Sequence, residues 1–162
     1  MTPMKSIAYR AGLLAAILIA AVVMGGWAGS EKDLLVGNWG LDRGKSEYFP
    51  DTTLQRRSVT IDAKDNGIHF LMKTVTERGN TVEAEFSAMY DGKDVPISGS
   101  QLDTVALKRV DASTVERTGK IAGKVVENCT MSVSKDGKTM TMVTKGAIDG
   151  EDYNSKQVFT RQ

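Results

Sequence analysis

Past residue 33 the chain alternates apolar and polar residues with a period of two, and short clusters of Asp, Asn and Gly break the alternation at close intervals. Period two is the repeat of a β-strand, whose successive side chains point to opposite faces. Asp-Gly and Asn-Gly pairs accept the positive φ angles that tight hairpins require. The turn candidates are Asp65-Asn66-Gly67, Arg78-Gly79-Asn80, Asp91-Gly92-Lys93, Asp111-Ala112, Lys135-Asp136-Gly137-Lys138 and Asp149-Gly150-Glu151. Between them the pattern predicts strands over Leu34–Leu41, Leu54–Ala63, Ile68–Thr76, Thr81–Tyr90, Asp94–Ile97, Thr104–Val110, Thr114–Gly119, Lys124–Ser134, Thr139–Lys145 and Tyr153–Arg161. Only Asp42–Thr53 is long and irregular, and its Gly44, Pro50 and charges predict a loop.

That rhythm fixes the fold class as all-β. About ten antiparallel strands in sequence order would leave two exposed edges in an open sheet, which invites edge-to-edge association. Closure into an up-and-down antiparallel β-barrel of about 8–10 strands removes those edges. A two-sheet sandwich is the rival, but it needs longer crossovers than these short hairpins provide.

The first thirty residues are a different object. Lys5 and Arg10 precede an uncharged apolar run, Ala11–Met24, and then the small-residue stretch from Gly25 to Ser30. This is the pattern of a secretory signal peptide cut near residues 28–30, which leaves 31–162 as a single barrel domain. Export through a bacterial Sec-type route to the periplasm or the medium is the corresponding expectation. Without Lys5 and Arg10 the chain carries 19 basic against 20 acidic side chains. No charge excess pulls it toward nucleic acid, and nothing predicts membrane insertion after cleavage.

Little catalytic chemistry is on offer. The only histidine, His69, lies on the face opposite Ile68, Phe70 and Met72, and the only cysteine, Cys129, falls in the alternating set Val125, Glu127, Cys129, Met131, Val133. A lone thiol forms no internal disulfide, and free Cys is usually a small buried hydrophobe. With one His and one Cys there is no zinc set. The stretch Asp62–Lys73 has Lys at the third and twelfth places, where a calcium loop needs acids. The expectation is a protein that is not an enzyme, with no catalytic residues, no metal and no cofactor.

The segment Gly37-Asn38-Trp39 resembles the Gly-x-Trp of the first strand in calycins, the lipocalins and fatty-acid-binding proteins. The longer runs "GNWGLDRGKSEY", "YDGKDVPISGS", "DTVALKRVDASTVE" and "VSKDGKTMTMVTKG" are similar to a family of small exported bacterial proteins described as lipocalin-like, most without an assigned activity. The resemblance implies that Trp39 packs across the closed end of the barrel, beside Gly37, with a basic residue of the last strand against its ring. Arg161 best fits that role and Lys156 is the second choice. The chain departs from fatty-acid-binding proteins in lacking both a helical lid after the first strand and an Arg-x-Tyr on the last, which here reads Phe159-Thr160-Arg161.

What remains is the barrel interior. Phe70, Met72, Phe86, Tyr90, Met131, Met140, Met142 and Phe159 are the candidate cavity residues, because Met adapts to irregular space or to varied apolar ligands. The expected function is non-catalytic binding of a small hydrophobic or amphipathic ligand. The alternative is a structural or protein-interaction barrel of the cell envelope whose filled interior takes no ligand and whose protein partner is unknown.

Overall fold

The computed structural model describes residues 32–50 and 52–162. The signal-peptide segment and its cleavage site therefore lie outside the described residues. Ten strands form one antiparallel sheet: β1 (Gly37–Phe49), β2 (Leu54–Lys64), β3 (Gly67–Thr76), β4 (Thr81–Met89), β5 (Val95–Pro96), β6 (Thr104–Arg109), β7 (Thr114–Ile121), β8 (Lys124–Val133), β9 (Thr139–Ile148) and β10 (Glu151–Arg161). Every strand pairs with its neighbour in sequence except where β1 meets β10 and where β4 meets β5. The first of these joins is a ladder from Trp39↔Arg161 to Phe49↔Asn154, broken by a register shift between Asp42 and Glu47. The second is carried by two isolated bridges, Glu85↔Ser98 and Asp91↔Lys108, so the sheet is a nearly closed up-and-down barrel. Among the described residues there is no helix.

Gly79, Gly137 and Gly150 turn three of the expected hairpins at positive φ, whereas the β7–β8 hairpin turns at Ala122-Gly123, both at positive φ, where no turn was expected. Inward rows read directly from the alternation: Val59 and Ile61 on β2, Ile68 and Phe70 on β3, Ala84, Phe86 and Ala88 on β4, and Cys129, Met131 and Val133 on β8 are all buried. All of these except Ala84 join Leu35, Trp39 and Phe159 in one continuous core.

β1 is longer than the alternation predicts. It continues past Leu41 to Phe49, through the stretch expected to be a loop. The ladder to β10 slips between Asp42 and Glu47. There the Ser46 hydroxyl donates to the Asp42 carbonyl (2.7 Å) and accepts the Val158 N–H (3.0 Å), so a side chain replaces the backbone pairing lost at the bulge. On its other side β1 pairs with β2 only from Gly37 to Gly40. Beyond Gly40 the strands part, and that split opens one end of the barrel.

Candidate functional site

The two ends of the barrel are built differently. At the closed end Trp39 is fully buried and its indole N–H donates to the Leu35 carbonyl at 2.9 Å. The Arg161 guanidinium lies over the ring, 4.1 Å from its centroid. Its three nitrogens donate to the carbonyls of Gly137 (2.6 Å), Val36 (2.8 Å) and Leu34 (2.7 Å). Gly37 sits at φ +148°, where a Cβ would stand 2.2 Å from Arg161 Nη1, so the guanidinium takes the space a side chain would need. A second arginine, Arg109, lies 3.9 Å from the Tyr90 ring centroid, and both Arg109 and the Tyr90 hydroxyl donate to Asp33. Burial, then the bond to Asp33 and its charge, push the Tyr90 hydroxyl well above the ordinary tyrosine range.

The interior between the ends is packed. Phe70 and Phe86 face each other across β3 and β4 as a stacked pair with centroids 5.0 Å apart. Met131, Met140 and Phe159 are buried in the same core. Of the eight candidate cavity residues, Met72 and Met142 line open space at the mouth. Phe70, Phe86, Met131, Met140 and Phe159 pack on one another, and Tyr90 is drawn to the closed end by Asp33.

The open end holds a cavity of about 340 Å³ in the split between β1 and β2. Met72 and Met142 contribute apolar wall, while Tyr48, Arg57, Arg117, Glu127, Thr144, Tyr153 and Gln157 contribute polar groups. Glu127 pairs with Arg117 and accepts the Tyr153 hydroxyl at 2.7 Å. The Tyr153 phenol lies over Gly146 of β9, where a Cβ would come within 2.6 Å of it. Burial, then the Glu127 bond and charge, raise the Tyr153 hydroxyl as they do Tyr90. Burial likewise raises the Cys129 thiol, with Arg117 opposing in part.

Arg57 has a different set of partners. Its Nε donates to the Thr74 hydroxyl (2.8 Å) and its Nη1 to the Gln157 amide oxygen (2.6 Å). Among the described residues no carboxylate pairs with it. Desolvation lowers its pKa, with Tyr48 acting the other way, and burial raises the Tyr48 hydroxyl. Among the residues lining the cavity, two buried donors have no hydrogen-bond partner, the Tyr48 hydroxyl and Arg117 Nε. An arrangement with unfilled donors above an apolar floor is suited to holding a small molecule by its polar end.

Sequence reasoning did not single out Arg57, Arg117, Glu127, Thr144 or Gln157 as site residues. The signal was present, because each continues an inward apolar row: Arg57 before Val59 and Ile61, Arg117 after Val115, Glu127 before Cys129, Thr144 after Met142, and Gln157 before Phe159. A polar residue in phase with a buried row marks where the core gives way to a lined space.

On the barrel wall, His69 lies with Nδ1 3.0 Å from the Ser87 hydroxyl and Nε2 3.5 Å from Glu85. The Glu85 side chain is half exposed, and Lys64 Nζ also reaches the Ser87 hydroxyl, so this row is a solvated surface network. Among the described residues no group of three or more His, Cys, Asp or Glu side chains is placed to hold a metal.

No family model matches the chain. No curated protein matches it. Among solved structures it is similar to zebrafish ileal bile acid-binding protein crystallised with cholic acid, at 11% identity and a TM-score of 0.50, over 80% of this chain and 99% of that one. At that identity the likeness is one of fold alone, a calycin-like antiparallel β-barrel. The cholic acid belongs to the zebrafish protein.

Proposed function

We propose that the chain is an exported, non-catalytic barrel of lipocalin-like type that binds a small hydrophobic or amphipathic molecule at its open end. The observation that carries this reading is the cavity of about 340 Å³ where β1 leaves β2, floored by Met72 and Met142 and bordered by buried donors without partners. That volume is at the lower end of the range for small-molecule sites, about 300–1,000 Å³. The similar zebrafish barrel, crystallised with cholic acid, supports the same class of ligand. The basic start and apolar run of residues 5–24 support export to a bacterial periplasm or medium.

A second reading, a barrel that binds no ligand and serves as an envelope structural or interaction module, draws on the filled interior around Phe70, Phe86, Met140 and Phe159. Expression of the full chain in a bacterial host, recovery from periplasm and medium, and non-denaturing mass spectrometry separate the two. The carrier reading expects a chain shortened by the leader with an additional organic mass that organic extraction removes. A bare chain that also fails to take up a neutral apolar fluorophore overturns it and leaves the interaction module.

A further inference from the structure

The charged side chains that line the open end do not balance: Arg117 and Glu127 are buried and Arg57 half-buried. The described side chains lining the cavity include two guanidinium groups, Arg57 and Arg117, and one carboxylate, Glu127. Glu127 is committed to Arg117 and Tyr153, while Arg57 is held only by a neutral hydroxyl and a neutral amide oxygen. A guanidinium carries five N–H donors. Arg57 spends two of them on Thr74 and Gln157 and has three left. Two further donors at the cavity are idle: the buried Tyr48 hydroxyl and the Nε of Arg117, a residue only 7% exposed. Buried polar groups in folded proteins are almost always paired, so the two idle buried donors beside the half-buried, unpaired charge of Arg57 describe the acceptor that would complete them.

The rim limits how much negative charge that acceptor can carry. Asp149, Glu151 and Asp152 line the depression adjoining the cavity, which shares Pro50, Glu127 and Tyr153 with it. A molecule with charges spread along its length would meet these acids. One with a single charge at its buried end and a neutral body would not.

We propose, resting on the reading of this cavity as a small-molecule site, that the ligand is an amphipathic monoanion. Its single oxyanion head, carboxylate or sulfate, takes the free N–H groups of Arg57 and the Tyr48 hydroxyl, and its apolar body lies on Met72 and Met142. Charge-assisted bonds from a guanidinium to an oxyanion are about twice as strong as neutral ones, so the head group dominates the choice of ligand. Arg57 is thus the specificity-determining residue of the site and Tyr48 its auxiliary donor.

Displacement of bound N-phenyl-1-naphthylamine, a neutral fluorophore, by matched ten-carbon competitors tests this on the full-length barrel. Decanoate and decyl sulfate should each displace the probe at about tenfold or more lower concentration than 1-decanol, and decyl phosphate in its dianionic form should be weaker than either. In Arg57→Gln the ratio between decanol and decanoate should fall toward one, and in Tyr48→Phe it should shrink about threefold. Circular dichroism confirms that each variant is folded, and Tyr48→Phe carries the test if Arg57→Gln is not. Equal displacement by decanol and decanoate in the unaltered protein, or a preference that survives Arg57→Gln, overturns the monoanion assignment while leaving the cavity reading intact. A preference for decanoate that decyl sulfate does not share would confine the head group to carboxylates. Failure of the neutral fluorophore to bind the unaltered protein removes the cavity reading and this assignment with it.

Discussion

Both ends of the barrel contain the same trio, a carboxylate shared between an arginine and a tyrosine hydroxyl: Asp33 with Arg109 and Tyr90 at the closed end, Glu127 with Arg117 and Tyr153 at the open end. Each end also carries a second arginine near an aromatic residue, Arg161 on Trp39 and Arg57 near Tyr48. The chemistry is alike and the bookkeeping of donors is not. Arg161 is answered by three backbone carbonyls, and the ring beneath it is wholly buried. Arg57 is answered by two neutral groups, Tyr48 by nothing, and Arg117 keeps an idle Nε. Saturated polar groups lock a structure, whereas unsaturated ones at a cavity hold capacity for a ligand.

Substitutions at the two ends should therefore separate stability from binding. Trp39→Ala should have the largest effect on stability, about 3–5 kcal/mol in urea unfolding, because a buried indole leaves a void under Arg161. At temperatures where it stays folded, that variant should still bind an apolar probe. Loss of binding with unchanged stability would reverse the roles assigned to the two ends.

Glu127→Gln comes next. It leaves Arg117 buried without its counter-charge and should cost about 3 kcal/mol, while raising the affinity for anions because the cavity gains a net positive charge. A variant as stable as the parent in thermal unfolding would show that the pair is not needed to hold the open end.

The third effect lies in alkali. Tyr90 and Tyr153 have hydroxyls raised above their ordinary value of 10.0, so above that pH the unfolded chain loses these protons before the folded one does. Stability should be flat in this respect through neutral pH and fall as pH rises past about 10. Tyr90→Phe should lessen the slope of that fall in a pH series of unfolding curves. An unchanged slope would show that the Asp33 trio does not hold the Tyr90 proton.

Tyr48→Phe is the smallest. Since the hydroxyl has no partner, its removal should leave stability within about 1 kcal/mol of the parent, or raise it, while weakening anion binding. A clear loss of stability would mean that the hydroxyl is already paired.

The closed end was more legible in the sequence than the open end, for a physical reason. Strand positions followed from period two and the Asp/Asn-Gly turns because burial on one face leaves its mark on every second residue. Trp39 and Arg161 were reached through the Gly-x-Trp resemblance. The mouth was hidden because its polar residues interrupt the apolar rows that define the interior: Arg57 precedes Val59 and Glu127 stands in the row of Cys129, and a search for apolar lining passes over both. Tyr48 lies beyond a bulge where Ser46 supplies the missing hydrogen bonds, and the alternation loses phase there. Apolarity alone placed the cavity among Phe70, Phe86, Met140 and Phe159, the side chains that fill one another's space.

Ligand binding is assigned to the open end alone. A heteronuclear NMR titration of the isotope-labelled protein with decanoate examines both ends in one spectrum. Perturbations should centre on the Met72 and Met142 methyl groups, the Gln157 side-chain amide and the backbone near Tyr48 and Arg57, with the Trp39 indole N–H unmoved. Shifts concentrated at Trp39 and Leu35, or a spectrum that decanoate does not change, would contradict it.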